Sequence, residues 1–119
     1  MSFENDLDSL RLAFRSDHHF QYLRHGAPAG ILAAGAWQSR THAGLSWQLV
    51  EGDVLTTLAQ VSLRPDLIFY DLFSSKTHAA AWTLAAFRRL FAACGGKAVE
   101  LFTYTASTAA RVAMLGAGF

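Results

Sequence analysis

Asp66-Leu67-Ile68-Phe69-Tyr70-Asp71 is the segment that most narrows what this chain can become. An apolar run bracketed by two acids reads as the clearest strand of the chain. A polar loop, Ser74 to His78, leads into an apolar-periodic helix from Ala79 to Cys94, which Gly95-Gly96 terminates. Ala98 to Tyr104 is the next strand, and Ser107 is placed to cap a helix running to Gly116. Regular alternation of strand and helix predicts a mainly parallel sheet with right-handed crossovers.

The preceding residues follow the same pattern. Ser2-Phe3-Glu4 reads as the end of a strand, and Asp6 or Asn5 can cap a helix through about Arg15. Leu7, Leu10, Leu12 and Phe14 supply much of its apolar surface. Residues 18–25 are polar and aromatic, which fits a short helix or loop. Pro28 suits the first turn of a helix from Ala29 to Trp37, ended near Gly35. Leu45 to Val50 is a strand that stops at Glu51-Gly52-Asp53, and Val54 to Gln60 is a short helix. The expected fold is α/β, a Rossmann-like three-layer sandwich, forming a single domain over residues 1–119.

Composition excludes several classes. With 52% hydrophobic and 16% charged residues the chain is no disordered tract. No apolar run approaches the length that spans a bilayer, and the acidic start Met1-Ser2-Phe3-Glu4-Asn5-Asp6 is no signal peptide, so a cytoplasmic protein is expected. Cys94 is the single cysteine, which excludes an internal disulfide and reads as a small buried residue rather than a nucleophile. His18, His19, His25, His42 and His78 show no H-x-x-x-H pair, so no metal site is expected. Ser74 and Ser107 lack a G-x-S-x-G context, which argues against a hydrolase. Residues 1–71 carry eight acids against five bases, whereas residues 72–119 carry Glu100 against Lys76, Arg88, Arg89, Lys97 and Arg111. That asymmetry fits an anionic partner as well as it fits ordinary solvated helix faces.

In doubly wound sheets ligands bind at the carboxyl ends of the strands. Glu4, Asp53 and Asp71 follow three successive strands there. A carboxylate after one strand can accept both hydroxyls of a ribose, and one after the next can reach an adenine amino group. Acids at these places also cap helices, and for Asp53 the two readings weigh about equally.

Four blocks carry a family resemblance: Ser2-Phe3-Glu4-Asn5-Asp6, Leu49-Val50-Glu51-Gly52-Asp53, Asp66 through Ser74, and Leu101-Phe102-Thr103-Tyr104-Thr105-Ala106-Ser107 onward to Ala117-Gly118-Phe119. Leu23-Arg24-His25-Gly26-Ala27-Pro28 and Trp82 through Phe87 strengthen it. Together they resemble class I S-adenosylmethionine-dependent methyltransferases. More narrowly, they resemble the methyltransferase domain of the bifunctional tRNA 5-methylaminomethyl-2-thiouridine biosynthesis family. The resemblance implies S-adenosyl-L-methionine as cofactor, with Glu4 and Asn5 at its ribose, and Gly52, Asp53 and Val54 at its adenine. It implies Asp71 and Phe73 beside the transferring methyl group as catalytic residues, with Phe73 or Tyr104 stacking on the target base. The substrate it implies is an aminomethyl group on a tRNA wobble uridine, with Lys76, Arg88 and Arg89 as candidates to meet phosphates. An oxidoreductase domain, fused or separate, is the further partner it implies.

Two departures qualify that expectation. Ser75 stands where the family usually has proline, and the glycines form no G-x-G-x-x-G after a strand. The reading is therefore of a domain without its first strand, its glycine-rich loop and its final strand pair. Such a domain would repair the gap by pairing inner strands directly, by joining a second copy, or as part of a longer polypeptide. The rival reading is a non-catalytic truncated module that assembles with a partner. A nicotinamide-dependent oxidoreductase is disfavoured by the missing fingerprint.

Overall fold

A computed structural model of the chain describes residues 1–15, 19–62, 64–72 and 76–119. They divide into two compact units, Met1–Thr57 and Leu58–Phe119. The fold is α/β, with parallel sheet fragments of Rossmann type.

The first unit begins with β1 (Ser2–Glu4), followed by α1 (Asp8–Phe14). Asp6 Oδ1 accepts the Asp8 N–H at 2.7 Å, so the expected acid does hold the helix start, one residue outside the cap position. Leu7 at the cap position is buried, and the helix half-buries Leu10 and Phe14 but leaves Leu12 65% exposed, so Leu12 does not join the apolar face expected of it.

A 3₁₀ turn, Gln21–Arg24, buries Leu23 and leads into α2 (Gly26–Ala34). Gly35, at φ 66°, ends α2 through its N–H to the Ile31 carbonyl. The end near Gly35 is the expected one, but the residues up to Trp37 do not continue the helix. Instead Ala36–Gln38 forms β2, antiparallel to β3 (Ser46–Glu51), with Trp37 opposite Trp47. The left-handed turn at Gly35 reverses the chain, and the indole of Trp37 comes to lie against α2. A Cβ at Gly30 would stand 3.1 Å from Trp37 Cδ1, so the missing side chain is what admits the indole. β1 pairs with β3 in parallel, giving the order β1-β3-β2. The expected helix from Val54 to Gln60 is α3 (Val54–Thr57) and a 3₁₀ turn, Leu58–Gln60.

The second unit is built on β4 (Leu67–Phe69) and β5 (Glu100–Phe102), paired in parallel with Phe69 opposite Phe102. The expected helix from Ala79 to Cys94 is split. Ala79–Trp82 is a 3₁₀ turn, and α4 runs over Leu84–Ala93. Thr83 breaks it: its backbone is extended, its Oγ1 donates to the Ala80 carbonyl at 3.0 Å, and the same oxygen accepts the Ala86 N–H at 3.2 Å. A hydroxyl so placed caps a new helix rather than continuing the old one.

Phe87, fully buried on α4, centres the core of this unit. Its ring meets Tyr70 at 5.2 Å, Trp82 at 6.3 Å and Phe119 at 6.5 Å. Tyr70 O–H donates to the Ala81 carbonyl at 2.6 Å, which satisfies the one polar atom of that buried side chain. Ser107 caps α5 (Thr108–Ala117) by accepting the Ala110 N–H, as expected, and Gly118 at φ 113° closes it.

Among the described residues the first unit holds a three-stranded sheet and the second a two-stranded one. The mainly parallel pattern holds for β1/β3 and β4/β5 and fails at β2. β4 lies within the strand expected over residues 66–71, half-burying Ile68 and leaving Phe69 75% exposed.

Candidate functional site

β1 and β3 run side by side in one direction, with Glu4 opposite Glu51. The Gly52 N–H donates to the Glu4 carbonyl at 2.9 Å and extends the ladder past the last strand residue. Asp53 then starts α3: its Oδ1 accepts the Leu55 N–H at 2.8 Å. Its carbonyl accepts the N–H and the hydroxyl of both Thr56 and Thr57. Gly52 is required for this turn. Its φ of 128° suits no L side chain, and a Cβ there would lie 2.9 Å from Thr57 Cγ2.

Glu4 uses one carboxylate oxygen in a comparable way, its Oε1 accepting the N–H groups of Asn5 at 2.9 Å and Asp6 at 3.2 Å. Glu4, Asn5 and Asp53 are exposed, and Val54 is half-buried. Glu4, Asn5, Gly52, Asp53 and Val54 thus gather at the carboxyl end of two adjacent parallel strands. The capping role of Asp53 is real, yet a carboxylate offers about four lone-pair sites, so each acid keeps acceptor capacity for a ligand.

Asp71 lies in the second unit, exposed, two residues beyond β4. Tyr104 stands two residues beyond β5, 91% exposed, and the register carries both to the same end of the two-stranded sheet. Phe73 and Ser75 lie outside the described residues. Asp66, the other acid bracketing β4, ion-pairs with Lys97 at the opposite end. Lys76, Arg88 and Arg89 are exposed.

Glu51 was passed over in the sequence reading. Its place directly opposite Glu4 puts two carboxylates on one face of neighbouring strands. Only the register of β1 on β3 brings the two together.

Cys94 is fully buried, its Sγ donates to the Leu90 carbonyl at 3.2 Å, and burial pushes the thiol pKa up. That is the behaviour of a packing residue, not an activated nucleophile. Among the described residues no group of His, Cys, Asp and Glu is arranged to hold a metal. No helix among them is long and apolar enough to cross a membrane.

An α/β chain with acids at adjacent parallel strand ends has the site plan of a nucleoside-cofactor protein. Comparison with known families makes this specific. The chain belongs to the S-adenosyl-L-methionine-dependent methyltransferase family, whose model matches residues 20–119. The matched stretch includes Asp53 and Asp71, and Glu4 precedes it. No curated protein and no solved structure matches the chain.

The residues present suit the adenosine part of that cofactor. An exposed carboxylate with acceptor capacity to spare, as at Glu4, is the kind of group that ribose hydroxyls require.

Proposed function

We propose that this chain serves methyl transfer from S-adenosyl-L-methionine to the aminomethyl group of a tRNA wobble uridine, residues 1–119 forming part of one methyltransferase domain. The observation that carries the reading is the placing of Glu4 and Gly52-Asp53 at neighbouring carboxyl ends of β1 and β3, in a chain of this family. Glu4 and Asn5 hold the ribose, and Gly52, Asp53 and Val54 hold the adenine. The cofactor, when bound, supplies a methyl group on a sulfonium centre. Asp71 orients the substrate amine and takes its proton, directly or through water. Phe73 or Tyr104 stacks on the target base, Tyr104 offering an exposed ring for it.

One observation favours the non-catalytic reading. The exposed rings of Phe69 and Tyr104 in the second unit are what a module awaiting a partner presents.

Calorimetry with S-adenosyl-L-methionine and S-adenosylhomocysteine separates the two. Methyl transfer requires measurable binding of both, weakened at least about tenfold by Glu4→Gln and by Asp53→Asn. The asparagine keeps the α3 cap, so a loss there reports the ligand and not the turn. Binding that survives both substitutions removes the assigned site. No binding to the wild-type chain favours the assembling module.

A further inference from the structure

At the other end of β3 from Glu4 and Asp53 the first unit carries a groove of about 530 Å³, lined by His25, Trp37, Gln38, Ser39, Arg40 and Thr41. The register fixes its place. Gln38 pairs with Ser46, the first residue of β3, whereas Glu4 pairs with Glu51, the last. At strand rise the two ends stand roughly 17 Å apart.

The groove is held in shape by its own bonds. Ser39 N–H donates to the Leu45 carbonyl at 2.9 Å, and Gln38 Nε2 donates to the same oxygen at 3.1 Å. Ser39 Oγ accepts the N–H groups of Thr41 and His42. His25 Nδ1 accepts the Ala27 N–H, and its ring meets Trp37 edge-on at 5.1 Å. The loop that carries Arg40 is therefore ordered before any ligand arrives.

Its charge is one-sided. Residues 18–50 contain no Asp or Glu, while they hold Arg24, Arg40 and four of the five histidines. All nine acids of the chain lie outside this stretch. A guanidinium, an aromatic wall, hydroxyls and an amide, with no carboxylate among them, match a ligand that is anionic and carries planar rings.

We propose that this groove is an RNA-docking site, taking a backbone phosphate at Arg40 and its base against Trp37. A lipid headgroup would satisfy the guanidinium, but anionic membranes are held by clusters of cations and inserted apolar residues. Here one cation faces a concave wall with a half-buried indole, which suits a splayed nucleotide. The choice of RNA rests on the tRNA reading above, and the groove lies at the other end of β3 from Glu4 and Asp53.

The test is fluorescence anisotropy of the whole chain with a labelled short RNA stem-loop, over a salt series and without cofactor. Arg40→Gln is compared with Arg11→Gln, which removes the same charge from α1, where Arg11 pairs with Asp8. The expected result is roughly tenfold weaker binding for Arg40→Gln and a salt slope reduced by about one, with Arg11→Gln close to wild type. Equal effects of the two changes overturn the proposal, and so does an absence of RNA binding. Phosphatidylserine vesicles form a second arm: binding to them that depends on Arg40, without RNA binding, assigns the groove to membranes instead. Cofactor calorimetry is read separately. A silent Arg40→Gln with intact cofactor binding removes the groove alone, and lost cofactor binding with an Arg40-dependent RNA signal removes the methyl-transfer reading alone.

Discussion

The Gly52 N–H reaches the Glu4 carbonyl across β1 and β3 at 2.9 Å. Through that one backbone bond the residue before Asp53 is tied to the residue that ends β1. The candidate rim therefore depends on main-chain geometry more than on contact between its acids.

Gly52→Ala should be costly for that reason. A left-handed φ of 128° and a Cβ 2.9 Å from Thr57 Cγ2 together predict a loss of about 1–3 kcal/mol. Urea unfolding checks the stability, and calorimetry checks a parallel loss of cofactor affinity. An alanine variant as stable as the parent would show that the turn relaxes freely.

Glu51→Gln should act in the opposite direction. Removing one of two like charges placed side by side relieves roughly 0.2–1 kcal/mol, most at low salt. The unfolding midpoint should rise at low ionic strength, and the gain should fade as salt is added.

Thr83→Ala removes the oxygen that caps α4 and should cost about 1 kcal/mol, while Thr83→Ser should recover most of it. The three urea midpoints decide this. An alanine variant equal to serine would mean that another group satisfies the Ala86 N–H.

In the second unit Phe87→Ala should remove about 3–5 kcal/mol, a large share of the stability of any small domain. Tyr70→Phe leaves the ring packing and deletes one hydrogen bond to Ala81, so about 1 kcal/mol is expected. Near-ultraviolet circular dichroism and urea midpoints distinguish the two degrees of damage.

Cys94 gives a pH prediction. Its thiol is held above the ordinary value by burial, so the unfolded chain releases the proton first as pH rises. Above the ordinary thiol range the unfolded state then binds fewer protons than the folded one, and stability falls with pH until the folded thiol also ionises. Cys94→Ala should flatten this alkaline decline in urea titrations. In the native chain Cys94 should react slowly with iodoacetamide and quickly once unfolded.

Elements with a strong local signal were legible from the sequence. Ser107 caps α5, Gly95 follows the end of α4, and the apolar run after Asp66 is β4. The misses have physical causes. β2 has three residues and no alternation to show, and only the left-handed Gly35 announces that the helix has stopped. Apolar periodicity runs straight across Trp82 and Thr83, so the pattern cannot reveal that a hydroxyl divides the helix. At the candidate rim the strand ends picked out Glu4 and Asp53, whereas Gly52 came with the family resemblance. Glu51 needed the register, a long-range property that pattern along the chain does not carry.

The arrangement of charge in the first unit has a kinetic consequence. Carboxylates at one end of β3 and an acid-free stretch towards the other give this unit an electric moment along the strand. In the field of a polyanion such a body feels a torque before it feels contact, and it turns its acid-free end forward. Encounters would then begin already oriented, at a rate that falls as added ions screen the field, with the carboxylate end facing away from the approaching strand.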